Sequence, residues 1–159
     1  MHNVAIYTDG ACSGNGRADA SGGWAAVVKL AGANADTRVS GGERGTTNQR
    51  MEMRAAIEGL KALPAPAEAT VYSDSAYLVN GMTQRWYRKW RQNGWLTSKR
   101  EPVANRDLWE ELLDLVEQRG HRVVFATVKG HADQLGRAST EHERYNQLCD
   151  ELAVAAVPA

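Results

Sequence analysis

The first apolar run of the chain alternates. Val4, Ile6 and Thr8 fall on one face of an extended segment and Ala5, Tyr7 and Asp9 on the other, the period-two signature of a strand. Gly10 to Gly23 is rich in Gly, Ser and Asn and reads as a turn region. Gly23 to Leu30 reads as a second strand, and a third is predicted from Asp36 to Glu43, which makes an N-terminal antiparallel meander. The period then lengthens. Met53, Ile57 and Leu60 are spaced for one buried face of a helix that Thr46 or Thr47 caps and that runs to Leu63, where Pro64 and Pro66 stop it.

Beyond the prolines, Ala69 to Asp74 is a short strand, followed by helical pieces from Ser75 to Met82 and from Thr83 to Gln92. A loop with Gly94 and Pro102 precedes a helix over Ala104 to Arg119, which Gly120 ends, and Arg122 to Val128 is again a strand. Thr140 and Glu143 form a capping-box spacing for a last helix to Ala156, with Leu148, Leu152 and Ala155 as its inner stripe. Three strands, helix, strand, helices, strand, helix is an α/β order that implies a mixed sheet with helices on both faces.

Composition narrows the class without naming a chemistry. At 159 residues, 43% hydrophobic and 24% charged, the chain fits one globular domain. Its two cysteines, Cys12 and Cys149, have no paired spacing, so a disulfide framework or a structural zinc site is not supported. No apolar stretch is long enough to span a membrane. The start, Met-His-Asn-Val, lacks a basic-then-apolar leader, so a cytoplasmic setting is the expectation. Net charge is zero, yet Arg85, Arg88, Lys89, Arg91, Lys99 and Arg100 crowd one segment that holds no acid. A chain divided this way can grip phosphates at one place and hold cations at another.

The acids that matter sit where solvated carboxylates are out of place. Asp9 and Asp74 each close an apolar strand, Glu52 lies between Met51 and Met53, and Asp150 follows Leu148 and Cys149. A carboxylate against an apolar face is costly unless a charge or hydrogen bonds compensate it. Strand ends at the carboxyl edge are where open α/β sheets place their sites. Oxygen-only ligands suit Mg²⁺ or Mn²⁺ rather than zinc. The plainer alternative makes Glu52 a helix N-terminal charge that favours the dipole and the aspartates turn formers.

Five separated motifs then occur in one order: Tyr7-Thr8-Asp9-Gly10-Ala11-Cys12-Ser13-Gly14-Asn15, Thr46-Thr47-Asn48-Gln49-Arg50-Met51-Glu52, Tyr72-Ser73-Asp74-Ser75, Val128-Lys129-Gly130-His131, and Asn146 followed by Cys149-Asp150. Together they resemble the type 1 ribonuclease H family over almost the whole chain. The resemblance implies the ribonuclease H fold, with a five-stranded mixed sheet of three antiparallel and two parallel strands. It implies an endoribonuclease that cuts the RNA strand of RNA–DNA hybrids, leaving 5′-phosphate and 3′-hydroxyl ends. Asp9, Glu52, Asp74 and Asp150 are then the metal-binding catalytic carboxylates for two Mg²⁺ ions, with Mn²⁺ also usable. His131 is the loop histidine near the scissile phosphate, assisting proton transfer or product release.

The resemblance also assigns contacts to an RNA–DNA hybrid. Asn48 and Gln49 reach bases or sugars in its minor groove, and Cys12 approaches the RNA 2′-hydroxyls through its backbone. Asn15 and Thr47 help hold a DNA-strand phosphate, and Asn146 belongs to the last motif. Trp86, Arg88, Lys89, Trp90, Arg91 and Trp95 match a basic protrusion, spanning 84–100, that grips the DNA strand. Read from spacing alone, Trp86 and Trp90 share a helical face that packs on the core. The chain departs from the family pattern at Ala76, at Arg85, which looks inserted, and in a long stretch from Ala132 to Tyr145 before the last motif. Monomeric action is the family expectation. The competing readings are a DNA-directed nuclease or transferase on the same fold and a catalytically inactive hybrid-binding module.

Overall fold

The computed structural model describes residues 2–14, 17–64, 66–127 and 140–158. Strands β1 (His2–Ser13), β2 (Ser21–Leu30), β3 (Thr37–Arg44), β4 (Ala67–Ser73) and β5 (Arg122–Thr127) form one sheet in the order β3-β2-β1-β4-β5. The β1–β2 and β2–β3 pairs are antiparallel, as the predicted meander requires, and β1–β4 and β4–β5 are parallel, as the family resemblance implies. Helices α1 (Asn48–Lys61), α2 (Ala76–Thr83), α3 (Trp86–Asn93), α4 (Arg106–Gln118) and α5 (Thr140–Ala156) complete the described residues.

The alternation in β1 feeds two different layers. Val4 and Ile6 pack with Met53, Ile57 and Leu60 of α1 in the main core, which also takes Leu78 of α2 and Trp109, Leu112 and Leu113 of α4. On the opposite face Tyr7 packs with Val27 and with Cys149 of α5. Its ring stacks between Tyr72 and Tyr145, with centroids 5.2 Å and 5.0 Å away. Thr47, in extended conformation, caps α1 by accepting from the Arg50 N–H at 3.2 Å, so Thr47 rather than Thr46 starts the helix.

The turn expected from Gly10 to Gly23 is narrower than its composition suggests, lying between Ser13 and Ser21. β1 and β2 stay paired from Gly10 opposite Trp24 to Ser13 opposite Ser21. The glycines here answer to the helices on either face. A Cβ on Gly10 would stand 2.7 Å from the Glu52 backbone nitrogen, and one on Gly23 would stand 2.0 Å from the Ala153 carbonyl oxygen. Gly42 meets α5 in the same way, 2.1 Å from the Ala156 carbonyl oxygen. A strand glycine marks close backbone approach as readily as a turn, and α1 and α5 use these positions to lie directly on the sheet.

Three boundaries also differ from expectation. The second and third helices are separated by Arg85 in the left-handed region at φ 56°, so α3 starts at Trp86 rather than at Thr83. Asn105 has φ 62°, which delays α4 to Arg106. The long stretch expected to run to Tyr145 ends before Thr140, because His142 and Tyr145 are already helical and pack on Tyr7.

Gly23→Ala is expected to lower the thermal midpoint by several degrees, because overpacking costs about 1–3 kcal/mol where the neighbour is helix backbone. A melt followed by circular dichroism checks this, and an unchanged midpoint would show that α5 moves aside freely.

Candidate metal centre and nucleic-acid interface

Parallel pairing aligns the two strand-end aspartates. Tyr7 stands opposite Tyr72 in the β1–β4 register, so Asp9 and Asp74, each two residues further on, emerge side by side. The α1 helix, lying on β1 at Gly10, brings Glu52 in from its second turn. Asp9, Glu52 and Asp74 each offer a carboxylate oxygen within 4.8 Å of the others. Glu52 is 3% exposed, which removes the reading of it as a first-turn charge favouring the helix dipole.

Backbone and serine donors hold the cluster. The Gly10 N–H donates to Asp9 Oδ1 at 2.9 Å and to Glu52 Oε1 at 2.5 Å. The buried Ser73 hydroxyl donates to Glu52 Oε2 at 3.4 Å and accepts from the Ser75 N–H at 3.1 Å. These donors do not neutralise the site. Burial, then the charge of Asp74, raises the Asp9 carboxyl above the usual carboxylate range, and Asp150 adds to this. Burial, then the hydrogen bond and charge of Asp74, raises Glu52 further. Two unit charges about 4 Å apart repel by roughly 4 kcal/mol at the effective dielectric of a protein edge. Such a set resists full ionisation unless a cation joins it, and its all-oxygen donors are those that hard divalent ions take.

Asp150 stands apart from the other three carboxylates expected at the centre. It lies exposed on α5, and it is not among the residues whose oxygens converge. Its place is fixed by its neighbour: Cys149 is fully buried and its thiol donates to the Tyr7 carbonyl at 3.2 Å. Burial pushes that thiol up to about 12, so Cys149 is the small packed residue its context suggests.

A family model described as RNase H matches residues 1–158. The chain belongs to the RNase H family. Ribonuclease H of Thermoanaerobacter sp. (strain X514) is 49% identical over 150 residues, covering 94% of this chain and 86% of that protein. Ribonuclease H of Symbiobacterium thermophilum is 49% identical over 159 residues, covering 100% and 97%. Among solved structures, LC9-RNase H1, described as a type 1 RNase H with the type 2 active-site motif, superposes with a TM-score of 0.73. It is 31% identical, over 98% of this chain and 72% of that one. LC11-RNase H1, solved in complex with RNA/DNA hybrid, shares the fold with a TM-score of 0.63 at 20% identity, over 97% and 96% of the two chains.

Around the carboxylates of this family member, Thr47, Asn48 and Gln49 are exposed at the start of α1, and Asn146 is half-buried one helical turn before Asp150. Cys12 is half-exposed on β1, its thiol raised by burial and directed at the Thr46 carbonyl. His131 and Asn15 lie outside the described residues. Sequence reasoning passed over three residues that touch the site: Gly10, Ser73 and Ser75. The Ser-Asp-Ser run around Asp74 was their available signal, since a serine before a helix is a capping residue. Ser75 does cap α2, accepting from the Leu78 N–H at 3.2 Å.

The aromatic segment divides between core and surface. Trp86 and Trp90 share a face of α3, with ring centroids 6.2 Å apart, and Trp90 leans on the buried Trp109 at 5.4 Å. Trp95, assigned by the resemblance to the protrusion that grips a DNA strand, is 7% exposed. One face meets Trp90 at 5.7 Å, and the Arg106 guanidinium lies 5.3 Å from its ring centroid. Arg91 is engaged by Glu117 through two hydrogen bonds of 2.9 Å and 2.8 Å. Arg85, Arg88 and Lys89 are exposed and line an open pocket of about 640 Å³ with Trp86, Trp90 and Thr97.

The raised carboxyls fix the sign of a pH effect on the metal-free protein. A group whose folded pKa lies above its unfolded value takes up a proton on folding, so stability falls as pH rises above the ordinary carboxylate range. Between about pH 6 and 8, Glu52 should cost up to ~1.4 kcal/mol per pH unit. Thermal melts in chelator should therefore decline over that window for the wild type and less for Glu52→Gln. A saturating divalent cation should remove the difference. Equal slopes in chelator would mean that Glu52 is ionised throughout.

Proposed function

We infer that this protein is an endoribonuclease that hydrolyses the RNA strand of RNA–DNA hybrids at a pair of divalent cations, Mg²⁺ with Mn²⁺ as substitute. The observation that carries this reading is the converging, mutually repelling set Asp9, Glu52 and Asp74, with Glu52 buried at its base, in a chain of the RNase H family. Asp9, Glu52 and Asp74 hold the cations, with Asp150 completing the site when substrate is bound. Bound divalent ions supply the polarised water and the positive charge that phosphodiester hydrolysis needs. The rest is done by the protein's own groups.

The Gly10 N–H and the Ser73 hydroxyl fix the Glu52 oxygens before substrate arrives, so little reorganisation accompanies the reaction. Thr47, Asn48 and Gln49 line the approach on the α1 side, with Cys12 on the β1 side and Asn146 on α5, and Asn15 is assigned to the same contact by its motif alone. This ring of short polar groups suits the wide, shallow minor groove of an A-like duplex, where 2′-hydroxyls distinguish RNA from DNA. His131 moves a proton at the departing oxygen or helps release product. Arg88 and Lys89, flanked by Trp86 and Trp90, take phosphates of the DNA strand, while Arg91 and Trp95 brace that platform from behind. Among the described residues no helix is long and apolar enough to cross a membrane, and the protein acts in the cytoplasm as a monomer.

A labelled hybrid incubated with Mg²⁺ tests the reading directly. Wild type should release 5′-phosphorylated RNA fragments and Asp9→Asn should not; uncut RNA with wild type, or equal cutting by both, would sink it. Hybrid affinity should also fall steeply with salt. Arg88→Gln and Lys89→Gln should each reduce the log–log salt slope by about 1. Arg91→Gln should leave that slope nearly unchanged, because Glu117 already neutralises Arg91. A larger loss at Arg91 than at Lys89 would reverse this division of labour between the two cations.

A further inference from the structure

The two serines flanking Asp74 clasp the first turns of α1. Ser73 holds Glu52, and Ser75, three residues before Leu78 and only 8% exposed, reaches Gln49 on the same face of α1. Ser75 Oγ has one proton and two lone pairs. One lone pair receives the Leu78 N–H at 3.2 Å, and the proton goes to Gln49 Oε1 at 2.9 Å. The carbonyl end of the Gln49 amide is therefore held inward. Gln49 itself is exposed, so its NH₂ end is the one free to meet a partner from outside.

We propose that Ser75 is a positioning residue that fixes the Gln49 amide so that it offers only donors to the minor groove of the hybrid. This rests on the hybrid-cutting reading and adds to it a reason for broad sequence tolerance. Every base pair presents a minor-groove acceptor, at purine N3 or pyrimidine O2, whereas only guanine presents a donor there. An amide locked donor-outward binds any pair. An amide free to turn spends part of its time offering a carbonyl that only guanine satisfies.

A double-mutant cycle separates this role from simple helix capping. Hybrid affinity is measured in an Asp9→Asn background, where binding proceeds without cutting. Ser75→Ala is expected to weaken binding several-fold when Gln49 is present, and to have no further effect once Gln49→Ala is made. Ser75→Thr, which keeps the hydroxyl and the cap, should restore affinity. A Ser75→Ala effect of equal size in both backgrounds, or none in either, would overturn the proposal. If Ser75→Ala does not fold, the Thr variant carries the test: it must bind as wild type, and a several-fold loss of affinity in folded Ser75→Thr rejects the role. Failure of the cycle while the Asp9 wild type still cuts hybrid rejects Ser75 alone; uncut hybrid rejects the reading beneath it.

Discussion

The site depends on the backbone of β1 touching the backbone of α1. At Gly10 no side chain separates them, and a Cβ there would meet the Glu52 nitrogen at 2.7 Å. That contact forces Asp9 and Glu52 to share one N–H donor at 2.9 Å and 2.5 Å. The repulsion between them is thus built in by packing, and packing is what prevents the carboxylates from separating. The hydrophobic burial of Met53, Ile57 and Leu60 against Ile6 offsets the electrostatic cost on the same helix that causes it. A fold held together in this way keeps the three carboxylates converged whether or not a cation is there.

The same logic orders the opposite face. Gly23 and Gly42 let α5 rest on the sheet, while Cys149 bonds to the Tyr7 carbonyl and Tyr145 stacks on the Tyr7 ring. Tyr7 and Asp9 lie on the same side of β1, so one strand face locates both the anchor of α5 and a site carboxylate. Asp150 follows Cys149 immediately. Its placement is set by a thiol and two tyrosines rather than by anything in the metal centre, which accounts for its standing outside the three converging oxygens.

Element order was legible because it follows from period and punctuation, while the parallel pairing of the later strands came from the family resemblance. Alternation in Val4 to Asp9, the Met53-Ile57-Leu60 stripe and the prolines after Leu63 each have one physical meaning. The glycines did not, since composition cannot distinguish a glycine that turns the chain from one that lets a helix approach. That distinction needs the partner surface, here Glu52 and Ala153. The same gap explains Trp95 and Arg91. A basic, Trp-rich segment signals phosphate contact, but Glu117 and Arg106, which engage these two residues, lie 26 and 11 positions away in the chain. Asp9 and Glu52 were easier, since an acid buried against an apolar face is costly, whereas the exposed Asp74 was marked only by its place at a strand end.

Charge is consequently spent in two ways within one segment. Arg91 is taken up by Glu117 of α4 and Arg106 lies over the Trp95 ring, whereas Arg88 and Lys89 on α3 remain exposed. A platform whose cations all faced solvent would repel itself and splay, and one whose cations were all paired would have no field to offer a phosphate. Along α3 a paired cation and unpaired, exposed ones therefore stand on one helix. The left-handed Arg85 at the start of α3 makes the break from α2 that lets this surface be oriented independently of the helix carrying the Asp74 corner.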